Sequence, residues 1–125
     1  MATSGIRSRQ ILKVDGTMIN PATDESVKAG TIYTTIGDGR KIVTTGGTAV
    51  ALAASTECYK VDITAETSNT NEVVIGGSTV VAAEATRRGV PLDPGATLTL
   101  HIDNLAKVYV DAVTDTEGVT FTYYK

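Results

Sequence analysis

The residues able to do chemistry in this chain are few and scattered. His101 is the single histidine and Cys58 the single cysteine. A nucleophilic thiol needs a neighbouring base and surroundings that lower its pKa. Only His101 could be that base, and nothing in the sequence brings the two together. A lone cysteine at a strand start reads instead as a small packed side chain. A metal site needs a second imidazole or a thiolate cluster, and the chain has neither. His101 reads as an exposed sheet histidine.

Asp103, Asp111, Asp115 and Glu117 gather near the C-terminus. Their spacing lacks the close oxygen ligands and terminal bidentate Glu of a calcium loop, so they read as solvated turn acids. Gly76-Gly77 and Gly37-Asp38-Gly39 lack the Lys-Ser/Thr of a phosphate loop and precede no helix, so they read as turn glycines. The expectation is a non-enzymatic protein with no catalytic residues, no cofactor and no metal.

The bulk properties exclude further classes. The chain has 125 residues, 42% hydrophobic and 20% charged, with a formal net charge of −3. That supports one modest core and argues against disorder throughout. Arg87-Arg88 and Arg40-Lys41 are isolated basic pairs. Tracking phosphates needs clustered Lys and Arg, so nucleic acid is not the expected partner. No apolar run reaches the roughly 18 residues that span a bilayer, and Met1 to Gln10 lacks a signal-peptide core. No membrane association is expected. One cysteine excludes an intrachain disulfide and fits a reducing, cytosol-like compartment.

The elements that must position these residues are mostly strands. Thr and Val are plentiful, and branched side chains suit a pleated surface. Residues 1–45 read as an N-terminal arm. Ile6 to Val14 is extended and Asp15-Gly16 turns. Asn20 caps a short helix over about residues 21–29, with Pro21 at its first position and Gly30 closing it. Thr31 to Ile36 and Lys41 to Thr45 form a hairpin about Gly37-Asp38-Gly39.

Residues 46–125 read as a β-sandwich domain. Thr48 to Ala53 is a small apolar strand. Glu57 to Ala65 alternates, with Tyr59, Val61, Ile63 and Ala65 on one face and Cys58, Lys60, Asp62 and Thr64 on the other. Glu72 to Ile75 and Thr79 to Ala82 flank Gly76-Gly77 as a second hairpin. Glu84 to Arg88 is polar and could reach a partner. Pro91 and Pro94-Gly95 bracket a turn. Leu98, Leu100 and Ile102 face inward, as do Val108, Val110 and Ala112. Thr114 to Gly118 turns, and Val119, Phe121 and Tyr123 then alternate with Thr120, Thr122 and Tyr124. Short strands with regular turns predict a mainly β fold, an antiparallel β-sandwich or Greek-key barrel-like domain.

The ordered motifs carry a resemblance. They are Asn20-Pro21-Ala22-Thr23-Asp24-Glu25, Cys58 to Ile63, Val73-Val74-Ile75-Gly76-Gly77, Gly89-Val90-Pro91-Leu92-Asp93-Pro94-Gly95, and Ala106 to Ala112. Together, over roughly residues 19–29 and 57–124, they resemble small β-sandwich structural proteins of tailed bacteriophages, of the head decoration and head fibre type. The resemblance implies no catalytic residues. It implies a capsid decoration or accessory protein that binds and stabilises the major capsid shell, made in the host bacterial cytoplasm and carried on the virion surface. A neck, tail or baseplate component, or a displayed host- or carbohydrate-binding module, is the alternative.

The expected partners are the major capsid protein or other virion proteins. A homo-oligomer, with a trimer favoured, suits a symmetric station. The arm is the expected anchor, through Ile6, Arg7, Arg9, Ile11, Pro21 and Val27. Tyr109 and Tyr124 lie on the less apolar faces of their strands. Their rings suit either a protein interface or cross-strand pairing within the sheet.

Overall fold

The computed structural model describes residues 32–125. The expected helix and the expected arm contacts at Ile6, Arg7, Arg9, Ile11, Pro21 and Val27 lie outside them. Thr35–Lys125 forms one compact unit. This unit is mainly β and is an antiparallel sandwich.

Its strands are β1 Ile36–Val43, β2 Val50–Ala51, β3 Lys60–Ala65, β4 Val73–Gly76, β5 Val90–Leu92, β6 Thr97–Leu100, β7 Tyr109–Ala112 and β8 Glu117–Tyr124. They form two four-stranded sheets, in the orders β1-β8-β3-β6 and β2-β7-β4-β5. First pairs with last, second with seventh, third with sixth and fourth with fifth. The chain is thus one long antiparallel hairpin wound across two sheets, the winding of a jelly roll.

Alternation dictates what the sheets enclose. Val61, Ile63 and Ala65 of β3 are buried, while Lys60, Asp62 and Thr64 between them are not. On β8 Val119 and Phe121 are buried and Thr120 is exposed. The facing sheet contributes Val73, Ile75, Val110 and Ala112 to the same core. Leu98, Leu100 and Ile102 pack against that core half-buried, as the alternation requires.

Several expected turns are strands instead. The Gly37-Asp38-Gly39 hairpin does not form. β1 runs straight through it, paired with β8 from Ile36↔Tyr124 to Val43↔Glu117. The compact unit therefore starts at Thr35 and takes in residues assigned to the arm. The reason lies on the neighbouring strand. Gly37 faces Tyr123 and Gly39 faces Phe121, and the two rings lie across the glycines. A Cβ at Gly39 would come within 2.4 Å of the Phe121 ring. These glycines are strand residues that make room for aromatic rings.

The second expected hairpin also fails. β4 pairs with β5, by Val73↔Leu92 and Ile75↔Val90, rather than with Thr79–Ala82. Gly77 turns the chain, with Val80 N–H donating to its carbonyl at 3.0 Å. Val81 and Arg88 then exchange backbone hydrogen bonds around a short 3-10 turn at Glu84–Thr86. Val90–Leu92, expected beside a turn, is an edge strand, a position that tolerates the missing N–H of Pro91. The Pro94-Gly95 turn forms, closed by Ala96 N–H to Asp93 O at 2.8 Å. Thr114 to Gly118 was expected to turn, yet Glu117 and Gly118 already belong to β8.

Gly118 is the tightest point of the roll. A Cβ there would lie 2.2 Å from the Lys41 carbonyl oxygen, whereas one at Gly77 would meet nothing within 4 Å. Gly118→Ala is therefore expected to cost about 3 kcal/mol of unfolding free energy, at the upper end of overpacking effects. Gly77→Ala is expected to stay within about 0.5 kcal/mol. Urea titration of both variants checks the contrast.

Candidate functional site

The outsides of the two sheets differ. On the outer side of β2-β7-β4-β5, Val80 and Ala82 of the 77–89 connection form a second small cluster with Val74, and Tyr109 packs against it. Tyr109 is therefore half-buried under the protein's own connection. Among the described residues no such cluster covers the outer face of β1-β8-β3-β6.

That face is assembled by register. Residues directly opposed on neighbouring strands share a side. The pairings Asp38↔Thr122↔Asp62↔Thr99 and Arg40↔Thr120↔Thr64↔Thr97 run straight across all four strands. Lys60↔Tyr124 lies beside the first row. The result is a flat field of Thr, Tyr and charged side chains, each exposed or half-exposed.

Its side chains hold one another in place. The Tyr124 hydroxyl donates to Asp62 Oδ2 at 2.9 Å, and the Thr99 hydroxyl donates to Asp62 Oδ1. The Lys60 ammonium sits 5.0 Å from the Tyr124 ring centroid, within cation–π range. Thr64 and Thr97 share a hydroxyl hydrogen bond of 2.8 Å. The Thr99 hydroxyl lowers the Asp62 pKa most; burial opposes it, and the Tyr124 hydroxyl and the nearby charges of Lys60 and His101 add smaller lowering effects. Asp62 in turn raises the Tyr124 phenol by accepting its proton in a hydrogen bond.

At one end of this face Arg40 pairs with Glu66 through Nε and, at 3.2 Å, through Nη2. The pair borders an open pocket of about 320 Å³ lined by Thr64, Thr67, Ser68 and Thr120. Such a face can exchange hydrogen bonds with another protein surface at reduced entropic cost, because the side chains of Asp62, Thr99, Tyr124, Thr64 and Thr97 already hold one another.

Of the four acids near the C-terminus, Asp103 and Asp115 are exposed on turns as expected, whereas Asp111 and Glu117 are not solvated turn groups. Asp111 is 1% exposed and Glu117 is 7% exposed. Asp111 Oδ2 accepts from Ala82 N–H at 2.8 Å, and its Oδ1 accepts from Gly47 N–H at 3.0 Å. It pins both connections to β7. Asp115 Oδ1 accepts from Gly46 N–H at 2.7 Å. Glu117 accepts from the Thr70 hydroxyl and from the N–H groups of Thr70 and Asn71. Burial pushes the Glu117 carboxyl up, but those three donors together outweigh it and hold it below its ordinary value. These carboxylates are loop staples, a role set by tertiary packing that turn-like sequence could not reveal. Among the described residues no group of three or more His, Cys, Asp or Glu is placed to hold a metal ion.

Cys58 and His101, unconnected in sequence, line one pocket of about 270 Å³ with Tyr59, Ile102 and Asp103. Cys58 was placed on the polar side of its strand, yet it is buried ahead of β3, while Tyr59, placed on the apolar side, is 57% exposed. The thiol donates to the Ile102 carbonyl at 3.2 Å. Burial, and then the charge of Asp103, raise its pKa. This environment disfavours the thiolate that nucleophilic chemistry needs.

Of the residues singled out in the sequence, Tyr124 lies on the open face and Tyr109 under the connection on the other sheet. Sequence reasoning missed Asp62, Thr99 and Lys60 as its companions. Their outward positions were legible from alternation, but their convergence depends on which strands pair. No helix among the described residues is long and apolar enough to cross a membrane. Comparison of the chain with protein-family models, curated proteins and solved structures gave no match.

Two outcomes follow. Asp111→Ala leaves the buried Ala82 N–H without its acceptor and is expected to cost about 2 kcal/mol in urea titration. Asp115→Ala, at an exposed staple, is expected to cost less than about 1 kcal/mol. For Asp62 and Glu117 the folded pKa is depressed. Their stabilisation is present above the ordinary carboxylate pKa of about 4 and is lost as pH falls through the lower folded values. Asp62→Asn and Glu117→Gln should therefore each narrow the difference between stabilities measured at neutral and at strongly acid pH.

Proposed function

We propose that this chain is a structural protein of a tailed-bacteriophage particle. Its station is the head, as a capsid decoration or accessory protein that binds and stabilises the major capsid shell. The observation that carries this reading is the flat outer face of β1-β8-β3-β6, composed of Thr, Tyr and charged groups, with Asp62, Thr99 and Tyr124 held to one another. The face is wide and shallow, suited to a protein surface rather than to a small molecule. The jelly-roll winding supports the reading by analogy, since viral capsid domains share it, though fold alone does not fix function. The ordered motifs of the sequence add the same direction.

In this reading the protein does no chemistry. Its role is mechanical. Repeated copies bridge neighbouring shell subunits, and each second contact is effectively intramolecular, which raises avidity. Its partners are the major capsid protein or other virion proteins, rather than nucleic acid or membrane. The protein is made in the bacterial cytoplasm and ends on the capsid surface.

One observation favours a displayed host- or carbohydrate-binding module as the second reading. Exposed Tyr59 borders a pocket of about 360 Å³ with Glu57, Asp103, Asn104 and Lys107. An aromatic ring beside such polar groups can stack on and hydrogen-bond a sugar.

Copy number in purified particles tests the assignment. Hundreds of copies support shell decoration, six or twelve support a neck or tail station, and none removes the proposal. Glycan-array binding that is lost in Tyr59→Ala moves the second reading ahead. Deleting residues 1–30 is expected to abolish capsid binding while the β circular-dichroism signal remains. Undiminished saturation of capsids by that variant removes the arm as anchor.

A further inference from the structure

We propose that β1 is a self-recognition edge, through which two copies of this chain pair about a two-fold axis into one continuous eight-stranded sheet. This pairing stands independently of the particle-bound reading. The starting observation is the contrast among the four sheet edges. β2 has two residues and β5 has three, one of them Pro91. β6 has four. β1 has eight, with no proline, and among the described residues no strand lies on its outer side. A long unprotected edge is a ready template for pairing with another strand.

The free groups of that edge can be identified. Thr35 and Lys125 exchange both backbone hydrogen bonds, at 2.8 and 3.0 Å. In an antiparallel ladder such pairs alternate, so Gly37, Gly39 and Lys41 also direct their N–H and C=O groups to β8. Ile36, Asp38, Arg40 and Ile42 direct theirs to the open edge. Their side chains all lie on the outer face, since they oppose Tyr124, Thr122, Thr120 and Gly118.

Of the two-fold antiparallel registers centred from Asp38 to Arg40, only the one centred at Gly39 pairs all four of these residues with the same four. Centring the axis at Asp38 sets two aspartates opposite each other, and centring it at Arg40 sets two arginines opposite each other. Both place like charges in direct contact. Centring it at Gly39 places Asp38 against the second copy's Arg40, and the reverse. It also places Ile36, which is 70% exposed, against the second copy's Ile42. Each facing pair then exchanges both backbone hydrogen bonds. Lys41, an inward-facing edge charge that would resist pairing, falls opposite Gly37, where no side chain obstructs it.

Asp38 has no hydrogen-bond or ion-pair partner among the described residues. Arg40 engages Glu66 through Nε and Nη2, and its remaining guanidinium protons can meet an incoming carboxylate. The surface is self-complementary, as a two-fold interface requires. It gives a dimer where the sequence alone had favoured a trimer.

The test is charge reversal in the full chain, read by sedimentation velocity and native mass spectrometry at about 100 µM, where a weak edge-to-edge contact is populated. Wild type is expected to be dimeric. Asp38→Lys sets Lys against Arg40, and Arg40→Glu sets Glu against Asp38, so each variant alone is expected to be monomeric. Their mixture makes both contacts attractive and is expected to give a heterodimer. Asp38→Pro removes an edge-facing N–H without touching the β8 ladder and is expected to be monomeric. Thermal melts of the variants, close to that of wild type, separate lost pairing from lost folding. A monomeric or trimeric wild type overturns the proposal. So does undiminished dimerisation by any single variant, or a mixture that stays monomeric.

Discussion

The structure depends on where its last strand lies. β8 is not an edge but the second strand of its sheet, hydrogen-bonded to β1 on one side and β3 on the other. The first sheet cannot be completed until the C-terminal residues are in place. The fit at that strand is tight on both counts that matter. Gly37 and Gly39 leave space for the rings of Tyr123 and Phe121, and Gly118 lets the Lys41 carbonyl approach. Larger residues at these points would force strands apart, because a packed interior has no slack to absorb them.

That constraint also orders the polar chemistry. Once β8 lies between β1 and β3, Tyr124 reaches Asp62, and Asp62 reaches Thr99 on β6. Glu117 at its start holds the Thr70–Asn71 loop. On the other sheet Asp111 holds two connections against β7. One side of the sandwich is thus closed by its own loops, and the other presents an ordered polar field. This asymmetry leaves the outer face of the first sheet, and its β1 edge, uncovered among the described residues.

Much of the core could be read from alternation. Val61, Ile63 and Ala65, and Val119 and Phe121, announce buried faces because a period of two directly reports which side of a strand is covered. The two-sheet class followed from the number and spacing of such segments. What failed was local punctuation. Gly37-Asp38-Gly39 has turn composition, yet its glycines serve rings at the far end of the chain. Gly76-Gly77 does turn the chain, but the segment after it packs over the sheet while β4 pairs with β5. Asp111 occupies an outward position on its strand and becomes buried only because the 77–89 connection folds over it. The outward position of Tyr124 could be read from alternation. Asp62, Thr99 and Lys60 were not grouped with it, since cross-strand neighbours depend on a register that a single sequence does not display.

Native-state amide exchange on the full chain tests the closing role of β8 most directly. The account predicts that amides from Val119 to Tyr123 belong to the slowest class and exchange only through global unfolding, with the denaturant dependence of the whole domain. Exchange of those amides by local opening, while β3 and β6 remain protected, would contradict it.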